Sequence, residues 1–153
     1  MLTIHLIRQG HPLWEDTIRF ARDCSWRAGP ALAKRMEANA FRDRERVIAA
    51  VAEGRLVGYC TFAERDELPE EYGFSPFIGF VYVDEKYRGR RISEQMIHEV
   101  VRYAGTLGFR KVYLMSGEHG LYEKYGFEKI GEYRTIFGTT DQLFYKNTGE
   151  AEA

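Results

Sequence analysis

The sequence predicts a mixed α/β fold, with a splayed, mostly antiparallel sheet of about seven strands and helices on both faces. Short runs with the period of strands alternate with stretches that have the period of helices. Phe77–Val83 is an unbroken apolar and aromatic run, which is typical of a strand covered on both faces. A helical stripe and the short strand Lys111–Met115 follow it, so a parallel β-α-β unit is predicted at the centre.

The N-terminal part of the chain predicts one strand followed by two helices. Leu2–Ile7 alternates well enough for a strand, and Gly10 and Pro12 end it. Residues three or four positions apart predict the helices, with a break at Gly29 and Pro30. This spacing is carried by Trp14, Ile18, Ala21 and Ser25, and then by Leu32, Met36 and Ala40.

The remaining elements are a hairpin, a long helix and a closing group of short elements. Val47–Glu53 and Leu56–Glu64 predict two strands joined by a turn at Glu53-Gly54-Arg55. The helix with the clearest apolar stripe ends at Gly108. Its stripe consists of Ile92, Met96, Ile97, Val100, Val101, Ala104 and Leu107. After Lys111–Met115, a short helix is expected at His119–Tyr125 and strands at Phe127–Ile136 and Gln142–Lys146.

The composition suits one domain, and it argues against several classes of partner. We place the domain at residues 1–148, followed by a frayed tail at 149–153 in the polar stretch after Lys146. The formal net charge of −1 gives no overall basic field, so neither a nucleic acid nor a membrane is expected as partner. We expect no membrane helix, because the apolar runs are far too short, and no secretion, because the N-terminus lacks a basic segment followed by an apolar one. We expect no metal, because the histidines lack ligand spacing. Cys24 and Cys60 predict reduced thiols in a cytoplasmic protein.

The segment that is most informative for chemistry is Val83–Ser93, between the buried strand and the helix that ends at Gly108. It carries Gly89 and three arginines where the free N–H groups and the positive dipole end of that helix lie. Such a turn can cradle a phosphate. It can equally be a solvated basic turn that Ser93 caps, and local physics alone favours this second interpretation.

Two segments resemble motifs of the GNAT superfamily of N-acetyltransferases. Tyr87–Ser93 is similar to the pyrophosphate loop Arg/Gln-x-x-Gly-x-Gly/Ala, with Arg88 first and with Arg91 and Ser93 at the two small-residue positions. Leu121–Phe127 resembles the segment Leu-Tyr-x-Lys-x-Gly-Phe. The order of the motifs and the predicted order of elements also agree, so the resemblance covers nearly the whole chain. It implies the acyl-CoA N-acyltransferase fold.

The resemblance implies how acetyl-CoA would be held as a co-substrate, without a metal. Its pantetheine amides would pair with the backbone of Val81, Tyr82 and Val83. Its pyrophosphate would rest on the loop and first helical residues, with side-chain contacts from the first and last of them: Arg88, Gly89, Arg90, Arg91, Ile92 and Ser93. Met115 stands where the superfamily often has an asparagine, so one contact to the cofactor is missing or supplied differently.

The resemblance also implies the catalytic roles. Tyr122 matches the general acid that protonates or hydrogen-bonds the departing CoA thiolate, and a phenol with a pKa of about 10 is protonated at neutral pH. A primary amine must lose a proton before it attacks, but Phe77–Val83 carries no carboxylate to accept it. We rank Glu118 first as the base because it is nearest to Tyr122 in sequence; the other acids near the strand are Asp66, Glu67, Glu70 and Glu71.

These observations predict an acetyl-CoA-dependent N-acetyltransferase, in which a small-molecule or peptide amine attacks the thioester directly in a ternary complex. One alternative is a non-catalytic acyl-CoA-binding or sensing module, which the missing strand carboxylate favours slightly. Another is an RNA-binding sheet, because Gly79–Val83 partly imitates such a signature, although the charge balance argues against it. The acidic stretch Glu64–Glu71 fits a solvated loop or a surface that attracts a cationic amine. The acceptor stays open, and a homodimer is one expectation because dimers are common in the superfamily.

Overall fold

The computed structural model describes residues 1–149, and its centre is one sheet of seven strands. The strands are β1 (Leu2–Ile7), β2 (Arg46–Ala52), β3 (Arg55–Ala63), β4 (Phe77–Val83), β5 (Lys111–Ser116), β6 (Glu128–Arg134) and β7 (Thr140–Asn147). The helices are α1 (Trp14–Asp23), α2 (Gly29–Glu37), α3 (Ile92–Thr106) and α4 (Leu121–Lys124). The predicted fold class is confirmed.

The sheet is antiparallel except at one junction. Its strands lie side by side in the order β1-β2-β3-β4-β5-β7-β6. Among the strands within residues 1–149, only β4 and β5 run parallel to each other, and α3 lies between them in the chain. The parallel junction therefore joins two antiparallel halves of the sheet.

Helices cover both faces of the sheet, which explains why the strands are apolar on both sides. α3 and α4 pack on one face against residues such as Ile48 and Cys60. α1 and α2 pack on the other face against the alternate residues, among them Val47 and Tyr59. Successive side chains of a strand point to opposite faces, so both sets must be apolar when both faces are covered.

The local turns agree with the sequence, although some elements are shorter than predicted. Glu53 and Gly54 both have positive φ, 54° and 77°, and form the predicted hairpin turn as a two-residue connection. The helix expected at His119–Tyr125 is only the four residues of α4. The strand expected at Phe127–Ile136 ends earlier, at a turn in which the Thr135 N–H donates to the Thr139 carbonyl at 2.7 Å.

The C-terminal end of the described chain is held in place beyond Lys146. β7 continues to Asn147, and the Thr148 N–H and hydroxyl donate to the carbonyls of Arg110 and Phe109, each at 2.9 Å. Residues 150–153 of the predicted tail lie outside the described residues. Within residues 1–149, no helix is long and apolar enough to cross a membrane.

Glu45 is a buried carboxylate that ties the chain before β2 to the end of β3. Its two oxygens accept the N–H groups of Arg42 and Glu64, each at 2.7 Å. The Arg35 guanidinium of α2 lies 3.8 Å from the same carboxylate. Glu45 therefore fixes the point at which the chain leaves β3 and begins its connection to β4.

We expect Glu45→Ala to lower the free energy of unfolding by about 1–3 kcal/mol, because it leaves the partly buried N–H groups of Arg42 and Glu64 without their acceptor. Glu71→Ala is the matched control, since Glu71 is exposed, and it should change the same quantity by less than about 0.5 kcal/mol. Urea denaturation followed by circular dichroism measures both. Equal stability of the two variants would contradict the structural role of Glu45.

Candidate active site

A cleft of about 1230 Å³ opens where β4 and β5 separate. The two strands pair at only two positions, the second of which joins Ile78 to Leu114. Beyond Ile78 the register of β4 against β3 shifts, and Phe80 in this bulge has a positive φ of 50°. A bulge bends its strand, so β4 turns away from β5 and leaves a wedge-shaped space between them.

The separation leaves backbone groups of β4 facing the cleft. The Asp84 N–H donates to the Val57 carbonyl at 2.7 Å, which fixes the hydrogen-bonding register between β3 and β4. In this register Tyr82 bonds back to β3, whereas Val81 and Val83 turn their N–H and C=O groups away from it. The backbone of these two valines is therefore available to an extended ligand that lies along β4.

Tyr82 contributes its ring to an aromatic wall of the cleft. The ring is stacked on Trp26, with an interplanar angle of 4° and a centroid separation of 5.9 Å. The Tyr59 ring lies 5.3 Å from it on the inner side. Trp26 belongs to the connection between α1 and α2 and lines the cleft together with Phe80. The α1–α2 connection thus supplies part of the site, which the sequence did not indicate.

The N-terminus of α3 opens into the same cleft without a cap. Arg91 occupies the cap position in a left-handed conformation, with φ of 61°, and its side chain makes no hydrogen bond to the first-turn N–H groups. Gly89 in the preceding turn also has a positive φ of 85°. Free N–H groups and the positive end of the helix dipole therefore face the cleft, and this arrangement favours an anion such as a phosphate.

The three arginines of this turn point to different places. Arg88 lines the cleft, and its Nε donates to the Val83 carbonyl at 2.9 Å. Arg91 also lines the cleft and lies 3.6 Å from Glu94. The Arg90 side chain instead reaches Glu53, at 3.8 Å, and does not line the cleft.

Tyr122 of α4 also lines the cleft and is buried, with 5% of its surface exposed. Burial raises the pKa of its phenol above the ordinary value, and Cys60, Tyr125 and Glu118 act in the same direction. The phenol is therefore protonated throughout the neutral range and can donate a proton or a hydrogen bond. The neighbouring Tyr125 hydroxyl lies 2.8 Å from the Ser93 hydroxyl, so α4 is joined to the first turn of α3.

Glu118, which the sequence ranked first as base, lies in the loop between β5 and α4. The loop lines the cleft, and the buried Gln142 side chain donates to the carbonyls of Ser116 and Glu118 at 3.2 and 2.8 Å. The residue itself is exposed. The structure therefore holds the backbone of Glu118 firmly but leaves the residue in contact with solvent.

Two acids of the β3–β4 connection also line the cleft. Asp66 lies against Gly79 of β4, and burial raises the pKa of its carboxyl to about 7, with the Glu67 charge adding to the shift. The pKa of Glu67 is raised by burial and by the charge of Asp141. The other two acids from the sequence, Glu70 and Glu71, are exposed outside the cleft. One feature of the sequence points to Asp66: Gly79 is the only small residue in the bulky run Phe77–Val83, and it leaves room for a neighbouring side chain.

The turn between β6 and β7 supplies an apolar edge to the cleft. Ile136 and Phe137 line it while 59% and 72% of their surfaces remain exposed. The Ile136 N–H donates to the Glu67 carbonyl at 2.7 Å, so the turn is attached to the β3–β4 connection. Across residues 1–149, no group of three or more His, Cys, Asp or Glu side chains is arranged to hold a metal ion.

Comparison with known proteins agrees with this geometry. Residues 12–127 match the model of the acetyltransferase (GNAT) family. The uncharacterized N-acetyltransferase YhbS of Escherichia coli strain K12 is 32% identical over 85 residues. That match covers 54% of this chain and 48% of the relative, so the chain spans about half the length of the curated relatives it matches.

Solved structures share the fold over almost the whole chain. An aminoglycoside 6'-N-acetyltransferase from Enterococcus faecium has a TM-score of 0.73 at 17% identity, covering 95% of this chain and 97% of its own. A GNAT family acetyltransferase from Elizabethkingia anophelis with acetyl-CoA bound has a TM-score of 0.65 at 18% identity, with the same coverage. Spermidine/spermine N-acetyltransferase SpeG from Vibrio cholerae has a TM-score of 0.66 at 17% identity, covering 99% and 95%.

The left-handed backbone at Arg91 gives a prediction for stability. Replacing Arg91 with glycine removes the side chain that disfavours this conformation. Arg90 does not have a positive φ, so glycine at position 90 relieves no such strain. Arg91→Gly should therefore unfold with a free energy about 1 kcal/mol higher than Arg90→Gly. Urea denaturation of the two variants measures the difference, and equal values would mean that Arg91 stores no strain.

Proposed function

Because the chain belongs to the acetyltransferase (GNAT) family, we propose that it transfers an acetyl group from acetyl-CoA to a primary amine. One observation carries the proposal. The cleft between β4 and β5 brings an uncapped helix N-terminus, the open backbone edge of β4 and a buried phenol into one site. Acetyl-CoA has an anionic pyrophosphate, an extended amide-bearing arm and a thioester, and these three parts fit the three features in turn.

The proposed cofactor contacts follow from the exposed backbone groups. Val81 offers its N–H and C=O groups to the pantetheine amides, Val83 offers its N–H, and Tyr82 supports them with its ring. The loop from Arg88 to the first turn of α3 offers its N–H groups to the pyrophosphate. Arg88 and Arg91 add positive charge at the cleft, whereas Arg90 contributes through its backbone.

Tyr122 is the proposed general acid. Its raised pKa keeps the phenol protonated at neutral pH, so the phenol can donate a hydrogen bond or a proton to the sulfur of the thioester as negative charge develops there. Acetyl-CoA supplies an acyl group already activated for attack by an amine. The protein holds the acyl group and the amine together in a ternary complex, and such positioning accounts for much of the rate in this type of reaction.

The acceptor is a primary amine on a small molecule or a peptide. Asp66, Glu67 and Asp141 line the acceptor side of the cleft, and their charges favour a cationic amine. Spermidine and aminoglycosides are amines of this kind, and they are named as substrates of proteins with the same fold. The proton acceptor is one of the cleft carboxylates, with Glu118 and Asp66 as the two candidates.

Cys24 and Cys60 are free thiols, which fits a cytoplasmic location.

A non-catalytic acyl-CoA-binding or sensing module is the second candidate. One observation favours it, because β4 carries no carboxylate of its own beside the thioester position. Such a module would bind acetyl-CoA tightly and transfer nothing to any amine. Transfer of acetyl groups therefore separates the two functions.

We expect Tyr122→Phe to lower turnover by about 100-fold or more, because the departing thiolate loses its proton donor. Affinity for acetyl-CoA should change by less than about threefold, since the ring and its packing remain. Thiol release in the presence of a panel of primary amines measures turnover, and calorimetric titration measures affinity.

Tyr145→Phe is the matched control, since this hydroxyl donates to Glu128 away from the cleft. It should leave both quantities unchanged. Equal losses of turnover and affinity in Tyr122→Phe would mean that the phenol serves packing alone. Tight binding of acetyl-CoA without transfer to any amine of the panel would support the binding module instead.

A further inference from the structure

Asp66 is carried to β4 by a connection that is fixed at several points. The Glu64 N–H is bonded to Glu45, and the Glu64 carbonyl accepts the Ser75 hydroxyl at 2.8 Å. The Glu67 carbonyl accepts the Ile136 N–H at 2.7 Å. The segment that carries Asp66 is therefore held on both sides, and it presents its carboxylate to the cleft without needing to rearrange.

Gly79 makes room for this carboxylate on the surface of β4. A Cβ at position 79 would lie 2.6 Å from Asp66 Oδ1 and 3.1 Å from the Thr61 hydroxyl oxygen, so a larger residue would push the carboxylate away. Gly79 also follows Ile78, the last residue of β4 that pairs with β5. The Asp66 carboxylate consequently lies at the position where the cleft begins, on a strand that has no acidic residue of its own.

The groups around Asp66 suit a carboxylate that exchanges a proton near neutral pH. Burial and the Glu67 charge raise its pKa to about 7, while Arg35 and a hydrogen bond from the backbone of Glu67 oppose the shift. Arg65 does not neutralise it, because its guanidinium is paired with Glu70 at 2.7 Å. The charge of Asp141 raises the pKa of Glu67, so three acidic side chains lie together beside β4: Asp66, Glu67 and Asp141.

We propose that Asp66 accepts the proton that the acceptor ammonium must lose before it attacks acetyl-CoA. This proposal rests on the proposed function. One proton passes from nitrogen to the Asp66 carboxylate, and the freed lone pair forms the N–C bond while the C–S bond breaks. The thiolate takes the Tyr122 proton, the second nitrogen proton returns through water to the phenolate, and Asp66 releases its proton to solvent. Glu118, exposed in its loop, is not required as base.

The test compares pH profiles of kcat/KM for Asp66→Asn and the wild-type protein. The acceptors are spermidine, kanamycin and a peptide with a free N-terminus, and thiol release is the readout. Asp66 acts in its deprotonated form, so wild-type kcat/KM should rise as the pH increases through about 7 and then level off. Asp66→Asn should lower kcat/KM by about 100-fold and remove this rise. Glu71→Gln neutralises an exposed acid outside the cleft and should match the wild type.

Gly79→Ala provides a second variant that displaces the carboxylate without removing it. It should also lower kcat/KM, while circular dichroism shows a folded protein and calorimetry shows acetyl-CoA binding. A wild-type rise near pH 7 that persists in Asp66→Asn would overturn the role of Asp66 and leave the proposed function intact. If the rise of kcat/KM near pH 7 were lost in Glu118→Gln but kept in Asp66→Asn, the base would be Glu118 and the role of Asp66 would be overturned. Absence of transfer by the wild-type protein to all acceptors would overturn the proposed function, and this proposal with it.

Discussion

The separation of β4 from β5 is the constraint on which the rest of the structure depends. Parallel neighbours normally satisfy each other's backbone groups, but here pairing stops at Ile78. The amides and carbonyls of Val81 and Val83 then face a cleft, and buried backbone groups need partners. The Arg88 side chain satisfies one carbonyl from outside the sheet. The remaining groups form an unfinished strand edge that an extended, amide-bearing ligand can complete.

The elements around this edge each contribute one kind of interaction. The first turn of α3 adds free N–H groups that suit an anion, because Arg91 at the N-cap position makes no side-chain hydrogen bond to them. The Ser93–Tyr125 hydrogen bond joins that turn to α4, which carries Tyr122, so the N–H groups of the turn and the phenol are held in a fixed relation. The β3–β4 connection brings acidic groups to the other side. A ligand that spans the cleft therefore meets positive charge, backbone partners, a proton donor and carboxylates.

Much of this arrangement can be predicted from sequence because its signals are local. The unbroken run Phe77–Val83 and the stripe of α3 follow from periodicity, and the positions of the loop and of Tyr122 follow from two short motifs. The contact between Asp66 and Gly79 cannot be predicted in this way, because it depends on how a loop folds over a bulged strand. The same limit applies to Trp26, which reaches Tyr82 only after α1 and α2 have packed on the sheet.

Hydrogen–deuterium exchange of the backbone amides, measured with and without coenzyme A, tests most directly whether the open edge of β4 and the N-terminus of α3 hold the cofactor. We expect coenzyme A to slow exchange at Val81, Val83 and the residues from Gly89 to the first turn of α3. Exchange in β6, on the far edge of the sheet, should not change. Protection confined to other segments, or no protection in a folded protein, would contradict the assignment of this cleft to the cofactor.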